Sequence, residues 1–233
     1  IKEGCMSNVK KIFSEQEDVK QKCDYTVALA GNPNVRKSTI FNNLTGMNQH
    51  TGNWTGKTVA NATGFFYYRG EKYQFVDIPG TYSIMSNSEE EEIARDYICF
   101  GNPDATIVVV DATALDRNLN LVYQIMEITD KVVVCVNLLD EAKKKGIEID
   151  LKEIEKRLGV PLVGTIARKK KTLNKLMDVV EKVCTGEIKT NPKLIKYPQY
   201  IEESVNILEK KVTRLLTENN KNKTRWVCLK LID

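Results

Sequence analysis

One short segment has the residue types of a loop that binds phosphate. An apolar run over residues 25–30 leads into residues 30–39, which read AGNPNVRKST. In the pattern G-x-x-x-x-G-K-[ST], successive backbone N–H groups curl around phosphate oxygens while the lysine reaches the terminal phosphates. Gly31, Lys37 and Ser38 fit this pattern, and Arg36 stands where the second glycine belongs. The segment therefore predicts a phosphate-binding loop with one unfavourable residue.

A second motif lies at the end of a predicted β-hairpin. Strand-like runs over residues 59–68 and 73–78 flank a turn, and the second run ends in the DIPG of residues 77–80. The D-x-x-G pattern puts Asp77 at a strand end, where its carboxylate can support a magnesium shell, and lets Gly80 swing toward a γ-phosphate. This spacing predicts a nucleoside triphosphate site with Mg²⁺.

A third motif has the chemistry to recognise a base. The apolar residues 105–110 end in Asp111, and residues 131–136 lead into the NLLD of residues 137–140. A carboxylate such as that of Asp140 accepts from the N1–H and the exocyclic amine of guanine, and adenine has neither donor on that edge. The motif therefore favours GTP over ATP.

Each motif taken alone has an ordinary structural explanation. Residues 137–140 alone fit a helix N-cap or an Asx turn, and residues 77–80 alone fit a simple turn. The first loop alone fits a strand-to-helix connection without a ligand. All three occur in order, each at the carboxyl end of a predicted strand, and open α/β sheets bind ligands at that edge. The combination favours a nucleotide site.

The order of predicted elements indicates the fold class. From residue 25 to about residue 186, strands and helices alternate, which predicts an α/β domain of the P-loop small-GTPase type, with a mostly parallel sheet flanked by helices. The hairpin over residues 59–78 adds an antiparallel edge, and residues 47–58 are a polar connecting segment. We expect helices over residues 37–44, 88–97, 116–129, 151–158 and 172–184.

Both ends of the chain differ from this central G domain of residues 25–186. Residues 1–24 form an N-terminal arm, either disordered or carrying a short helix over residues 8–19. Residues 187–233 predict a small helical domain, whose apolar face we expect to dock on the G domain or on a membrane neighbour. That face consists of Ile201, Val205, Leu208, Val212 and Leu215, widened by Ile207 and Leu216.

Composition is compatible with this organisation. The 233 residues are 42% hydrophobic, enough for one core and a small appendage. The formal net charge is +4 with acids and bases interspersed, which argues against nucleic acid as a partner. Six scattered cysteines fit reduced thiols in the cytoplasm. The chain has no apolar run of membrane-spanning length or signal-peptide pattern, and because it begins with Ile1 we expect an excised fragment.

Taken together, the motifs resemble one family, the cytosolic G-protein domain of the bacterial ferrous-iron transporter FeoB. Among GTPases, Asn53-Trp54 and the continuation over residues 81–83 are specific to this family. The tail over residues 225–231 resembles the close of the family's helical domain, a guanine-nucleotide dissociation inhibitor that precedes the membrane-spanning part. The similarity runs from Cys23 to the end and is carried by residues 31–39, 52–59, 77–83, 88–91, 110–113, 117–120 and 137–142.

The resemblance implies GTP hydrolysis that drives or gates Fe²⁺ uptake at the cytoplasmic face of the bacterial inner membrane. The membrane-spanning iron-transport domain would lie beyond residue 233. Thr81 stands where Ras-like proteins carry a catalytic glutamine, so intrinsic turnover should be slow. A homo-oligomer and a small cytosolic accessory protein are further partners that we keep open.

The resemblance also implies roles for single residues. Lys37 would hold the β- and γ-phosphates, and Ser38 would bind Mg²⁺ directly. Thr58 would close over the γ-phosphate and Mg²⁺, Asp77 would support the metal through water, and the Gly80 N–H would sense the γ-phosphate.

Asn34 would coordinate a K⁺ ion beside the phosphates, where a cation can offset charge that develops during hydrolysis. Asn137 and Asp140 would read guanine. The expected nucleotide shell further contains Gly31, Asn32, Pro33, Val35, Arg36, Thr39, Asn53, Trp54, Thr165 and Ala167.

Three residues depart from the family pattern. A side chain at Arg36 disfavours the backbone geometry that glycine allows there, which weakens nucleotide binding unless the guanidinium points outward or pairs with phosphate. The usual Ser-Ala pair near the base is replaced by Ile166-Ala167, where the Ala167 N–H could still meet guanine O6. Leu138 replaces a lysine that many GTPases stack on the base.

Two other functions are consistent with these residues. The chain could be a nucleotide-poor regulatory module that keeps the fold and acts through protein contacts, because of Arg36. It could also be a soluble GTPase of the ribosome-assembly type, although Asn53-Trp54 and the helical tail with Trp226 argue against this.

Overall fold

A seven-stranded sheet forms the centre of the computed structural model, which describes residues 23–46, 49–54, 60–85, 88–216, 221 and 223–232. In this part of the chain the strand order is β2-β3-β4-β1-β5-β6-β7, antiparallel at β2-β3 and β3-β4 and parallel elsewhere. The predicted mostly parallel sheet with an antiparallel edge is confirmed. The strands are β1 (Tyr25–Gly31), β2 (Gln49–Asn53), β3 (Ala60–Tyr68), β4 (Glu71–Asp77), β5 (Ala105–Asp111), β6 (Val132–Asn137) and β7 (Leu162–Gly164).

The five helices predicted for the central region are present, with ends shifted by at most a few residues. The described helices are α1 (Lys37–Thr45), α2 (Glu89–Phe100), α3 (Leu115–Met126), α4 (Leu139–Lys144), α5 (Leu151–Leu158), α6 (Lys170–Cys184), α7 (Gln199–Leu215) and α8 (Thr224–Ile232). Ser88 caps α2 and Asp150 caps α5 by accepting hydrogen bonds from backbone N–H groups of the first turn.

Three elements of the central region were not predicted, and one of them, β7, has only three residues. The polar segment over residues 47–58 contains β2, which pairs with β3 from Gln49 opposite Gly64 to Asn53 opposite Ala60. Backbone pairing with a neighbouring strand forms this element without the apolar alternation that sequence analysis relies on. Helix α4 begins inside the NLLD motif and is too short for a periodic pattern. Residues 1–22 of the proposed arm over residues 1–24 lie outside the described residues.

The sheet is buried on both faces, which explains the fully apolar central strands. Along β1, Ala28 and Ala30 belong to the core cluster that includes α2 and α3 residues, and Val27 and Leu29 belong to the cluster that includes α1 and α6 residues. The carboxyl ends of the parallel strands therefore emerge at one edge. The loops after β1, β4, β5, β6 and β7 meet there, and they contain the motifs.

The apolar face predicted over residues 201–215 packs mainly on α8 of the same chain. Val205 and Val212 of α7 are buried in one cluster with Cys228 and Leu229 of α8. Leu215 and Ile207, which we expected in this face, are 83% and 65% exposed. Among the described residues, no helix combines the length and apolar character needed to cross a membrane.

Helix α8 also contacts the sheet domain. The Trp226 side chain is buried in the core cluster that contains α2 and α3 residues. Buried Lys223, just before α8, donates from Nζ to the carbonyl of Cys99 and, at 3.0 Å, to Asn102 Oδ1. These contacts cap the carboxyl end of α2, where a cation interacts favourably with free carbonyl groups.

One arginine joins α8 to both of its neighbours. The Arg225 guanidinium donates to both carboxylate oxygens of Glu202 on α7, at 2.8 and 2.9 Å. Its Nε lies 3.3 Å from Glu127 Oε2, just after α3. Hydrogen bonds from Arg225 lower the pKa of Glu202 to about 2, and burial raises the pKa of Glu127. The helix pair is therefore tied electrostatically to the sheet domain.

Candidate functional site

The loop after β1 has the tight geometry that phosphate binding requires. A Cβ on Gly31 would lie 2.6 Å from the carbonyl oxygen of Val109, so only glycine fits beside β5. Asn34 and Arg36 adopt positive φ values of 69° and 60°. Arg36 precedes α1 without a side-chain cap, so its side chain does not occupy the first N–H groups of the helix. A helix N-terminus of this kind is a ready anion site.

Two residues predicted from separate motifs are in direct contact. Lys37 Nζ at the start of α1 donates to Asp77 Oδ1 at the end of β4, and both side chains are largely buried. Burial raises the pKa of Asp77, and the Lys37 ammonium group opposes this shift. The contact places the proposed phosphate ligand beside the proposed magnesium ligand. Ser38, one residue further along α1, is exposed.

The DIPG segment lies directly against the phosphate loop. The Thr81 N–H donates to the carbonyl of Gly31 at 3.2 Å. A Cβ on Gly80 would lie 3.5 Å from Pro33, so the two loops are close at this point. Thr81 is buried, and its hydroxyl donates to the Ser83 carbonyl at 2.7 Å. The hydroxyl that replaces a glutamine is thus engaged within its own loop.

Asn137 connects three loops from a fully buried position. Its Nδ2 donates to the Val35 carbonyl at 3.1 Å, and its Oδ1 accepts from the Ala167 N–H at 3.0 Å and from Thr165 Oγ1 at 3.2 Å. The carboxamide therefore fixes the spacing of the phosphate loop, the NLLD loop and the loop after β7. The Ala167 N–H, which we expected to meet guanine O6, is engaged by Asn137; its contact with a base stays a prediction.

The NLLD loop turns into α4 through a left-handed residue. Leu138 has a φ of 64° and is 7% exposed, so its side chain packs inward in place of the usual lysine stem. Asp140 follows in the first turn of α4 and is partly exposed. A carboxylate at this position is stabilised by the helix N-terminus and is open to a ligand.

The Arg36 guanidinium points toward α4. Its Nη2 lies 3.2 Å from Glu141 Oε1, and the two side chains are 43% and 41% exposed. The sequence is compatible with an outward orientation of this side chain but indicates no partner, because the two residues are 105 positions apart. Glu141 is therefore a residue of the site that the sequence did not reveal, although it directly follows Asp140.

Other residues of the expected shell contribute in different ways. Asn32 is 2% exposed, and its amide has no hydrogen-bond partner among the described residues. Val35 is buried and contributes its carbonyl, while the Thr39 N–H bonds to the Arg36 carbonyl at 3.1 Å. Some groups of the phosphate loop thus hold the structure together, while others, such as the Asn32 amide, are free to bond to a ligand.

The family-specific Asn53-Trp54 pair has a structural setting. Asn53 ends β2, and Trp54 packs edge-to-face on Tyr97 of α2 with ring centroids 5.5 Å apart. The Trp54 ring packs against the core cluster that includes α2 residues, and its expected place in the nucleotide shell stays a prediction. Thr58 lies outside the described residues.

The donor set fits a magnesium ion shared with phosphates. Asp77 and Ser38 offer oxygen ligands of the type that Mg²⁺ prefers, and Mg²⁺ is commonly held by one or two side chains together with phosphate oxygens. Within the described ranges, no group of three or more His, Cys, Asp or Glu side chains could form a cluster site. The Asp77 and Ser38 oxygens would fit a Mg²⁺ ion that a bound nucleotide also ligates.

Comparison with known proteins places this geometry in a family. A family model described as ferrous iron transport protein B matches residues 25–180. The chain belongs to the FeoB family. The Fe(2+) transporter FeoB of Escherichia coli K12 is 34% identical over 212 residues, which cover 89% of this chain and 27% of that protein. The Fe(2+) transport protein A/FeoB fusion protein of Porphyromonas gingivalis is 36% identical over 209 residues, covering 89% and 25%.

Solved FeoB structures agree with the fold. The cytosolic domain of L. pneumophila FeoB has a TM-score of 0.80 at 31% identity, and the match covers 88% of this chain and 86% of that one. The cytosolic domain of T. maritima FeoB in its GMPPNP form has a TM-score of 0.77 at 35% identity, covering 88% and 80%. The chain spans about a quarter of the length of the curated FeoB relatives. A ribosome-assembly GTPase is not favoured.

Proposed function

We propose that this chain binds GTP and GDP and slowly hydrolyses GTP as the cytosolic G domain of a ferrous-iron transporter. The observation that carries the proposal is the contact of Lys37 with Asp77 at the same sheet edge as the NLLD loop. Solved T. maritima relatives in GDP and GMPPNP forms support a guanine nucleotide. In a longer protein, the domain would sit at the cytoplasmic face of the membrane and drive or gate Fe²⁺ uptake.

The phosphate end of the site follows from the loop geometry. Lys37 would turn from Asp77 to the β- and γ-phosphates, whose charge the N-terminus of α1 also offsets. Ser38 and Asp77 would hold Mg²⁺, which supplies neutralisation of phosphate charge when bound. The Gly80 N–H would meet the γ-phosphate, and Thr58 would complete the closure.

Turnover would be slow for a structural reason. The Thr81 hydroxyl bonds to the Ser83 carbonyl, so it does not replace the water-positioning amide of a glutamine. Backbone groups near Gly80 would then orient water. We assign Asn34, an exposed residue of the loop, to K⁺ coordination.

At the base end of the site, one residue would recognise guanine and another would hold the loops in position. Asp140 would accept from the guanine N1–H and amine, whereas the buried Asn137 amide sets the spacing of the loops. Thr165 and Ala167 would form the far wall of the base pocket. Guanine selectivity therefore depends on Asp140 directly and on Asn137 through the loops.

A nucleotide-poor regulatory module is the second candidate. Arg36 adopts a left-handed conformation at a glycine position, and a strained non-glycine residue costs about 1–3 kcal/mol. If that strain disfavours the loop geometry that binds phosphate, the helix pair α7–α8 would act through protein contacts alone. The proposal keeps the division into a G domain and a helical dissociation-inhibitor domain. It also keeps a homo-oligomer and a small accessory protein as partners.

Titration of labelled GDP, GTP and ATP into this chain and into Arg36→Gly tests the proposal. We expect both proteins to bind guanine nucleotides in preference to ATP, with tighter binding by Arg36→Gly. An Asp140→Asn control should lose the preference for GTP. Binding by Arg36→Gly alone would favour the nucleotide-poor module, and an absence of GTP binding by both proteins would exclude a GTPase.

A further inference from the structure

Two side-chain contacts join the phosphate loop to the loop and helix after β6. The inner contact is the buried hydrogen bond from Asn137 Nδ2 to the Val35 carbonyl, 3.1 Å long. The outer contact is the exposed ion pair between Arg36 Nη2 and Glu141 Oε1, 3.2 Å apart. In the phosphate loop, the two contact residues Val35 and Arg36 are adjacent in sequence. On the other side, Asn137 precedes and Glu141 follows the proposed base-reading Asp140.

The outer contact gives the Arg36 side chain a specific partner. Its backbone is left-handed, with φ 60° and ψ 35°, where a side chain is strained. Such conformations persist only where the surroundings hold them, and they concentrate at functional sites. Glu141 is the acidic group that receives the guanidinium, and it lies on α4 rather than on the phosphate loop.

We propose that the Arg36–Glu141 ion pair is a positioning pair that holds the phosphate loop and the base-reading helix α4 at the spacing a bound guanine nucleotide needs. The inference rests on the proposed nucleotide site. A nucleotide contacts the phosphate loop with one end and Asp140 with the other, so its affinity depends on how far the two sides are preorganised. The pair would slow release of the nucleotide by holding the two sides together.

The expected size of the effect follows from exposure. Both side chains are more than a third exposed, so solvent and salt screen the pair. An exposed ion pair of this kind changes an equilibrium constant by at most about fivefold. We therefore expect Glu141→Gln to weaken GDP binding about threefold in low salt, through faster GDP release. The difference in GDP affinity between the parent and Glu141→Gln should disappear at about 0.5 M salt.

The matched control is a second exposed ion pair away from the site. Arg157 and Glu153 form an i,i+4 pair on α5 with an N–O distance of 2.8 Å. Glu153→Gln should leave the GDP dissociation constant and release rate unchanged. If the Arg36–Glu141 pair only stabilised the fold, both substitutions would lower the melting temperature of the nucleotide-free protein and neither would change GDP affinity, which would overturn the proposal.

Rescue and a double-mutant cycle complete the test. The charge swap Arg36→Glu with Glu141→Arg should recover GDP affinity relative to Arg36→Glu alone, because it restores the pair. In an Arg36→Gly background, Glu141→Gln should have no further effect on GDP release. Equal weakening in both backgrounds, or tighter GDP binding by Glu141→Gln, would refute the positioning role.

Failure of this inference is distinguishable from failure of the proposed function. If Arg36→Gly binds GDP and the cycle shows no coupling between Arg36 and Glu141, the nucleotide site stands and the positioning pair is refuted. If neither this chain nor Arg36→Gly binds GDP, both proposals are overturned.

Discussion

Replacement of Asn137 by alanine should both destabilise the protein and disconnect the site. The carboxamide is fully buried and makes three hydrogen bonds, to the Val35 carbonyl, the Ala167 N–H and the Thr165 hydroxyl. Alanine removes the carboxamide, so all three hydrogen bonds are lost and their partner groups are left behind. Val35 and Ala167 are 2% and 4% exposed, so water does not readily replace the lost amide.

The magnitude follows from the groups left behind. A buried backbone group without a partner costs about 1–3 kcal/mol, so the Ala167 N–H and the Val35 carbonyl together cost about 2–6 kcal/mol. The Thr165 hydroxyl keeps its contact with Cys135 Sγ at 3.2 Å and adds nothing further. Relaxation of the loops toward solvent reduces the total, and we expect a loss of about 3 kcal/mol in the free energy of unfolding.

Urea unfolding of the nucleotide-free protein measures this loss as a lower midpoint with an unchanged slope. Asn43→Ala is the control, because Asn43 donates to the carbonyl of the same Ala167 at 2.9 Å from an exposed position on α1. We expect that control to cost less than about 1 kcal/mol. An Asn137→Ala loss no larger than that of Asn43→Ala would refute the idea that the buried amide holds the loops together.

Three further predictions concern the cation, pH and the C-terminal helix. GTP hydrolysis should be faster in K⁺ than in Na⁺ because of Asn34, and equal rates would remove the cation role. The pKa of Glu202 is lowered to about 2 by Arg225, so the pair stabilises the fold above the ordinary value of 4.5 and this stabilisation is lost as the pH falls toward 2. The gap in unfolding free energy between the parent and Glu202→Gln should shrink over that range, and a gap independent of pH would contradict the assignment. In Trp54→Phe, Trp226 is the only tryptophan left, and its fluorescence should change when a GTP analogue replaces GDP; constant emission would argue against transmission to α8.

The sequence predicted the parts of the site that the backbone motifs place. Lys37 and Asp77 come from different motifs. Asp77 ends β4, and Lys37 begins α1 after the loop that follows the neighbouring parallel strand β1, so the fold brings them into contact. The central strands were predictable for the same reason, since burial on both faces requires continuous apolar runs. Long periodic helices were equally clear.

Other features depend on contacts that no local pattern encodes. Strand β2 forms through backbone pairing with β3, and the Arg36–Glu141 pair joins residues 105 positions apart. Trp54 belongs to a motif that is specific to the family, and its ring packs on Tyr97, a contact that the sequence did not indicate. Its contact with a nucleotide stays a prediction. A residue that marks a family can therefore serve the packing of the core beside the site.

Hydrogen bonds connect the phosphate loop to α8 through the DIPG segment. The Thr81 N–H bonds to the Gly31 carbonyl, and five residues after Gly80, the Met85 carbonyl accepts from Lys230 Nζ of α8 at 3.1 Å. Ser83 and Ile84 between these two points are held by Gln124 Oε1 of α3, at 3.1 and 2.8 Å. A shift of Gly80 toward a γ-phosphate would therefore reach α8 only if it also displaced Met85. Because Trp226 and Arg225 anchor the same helix, that displacement would reach α7 as well.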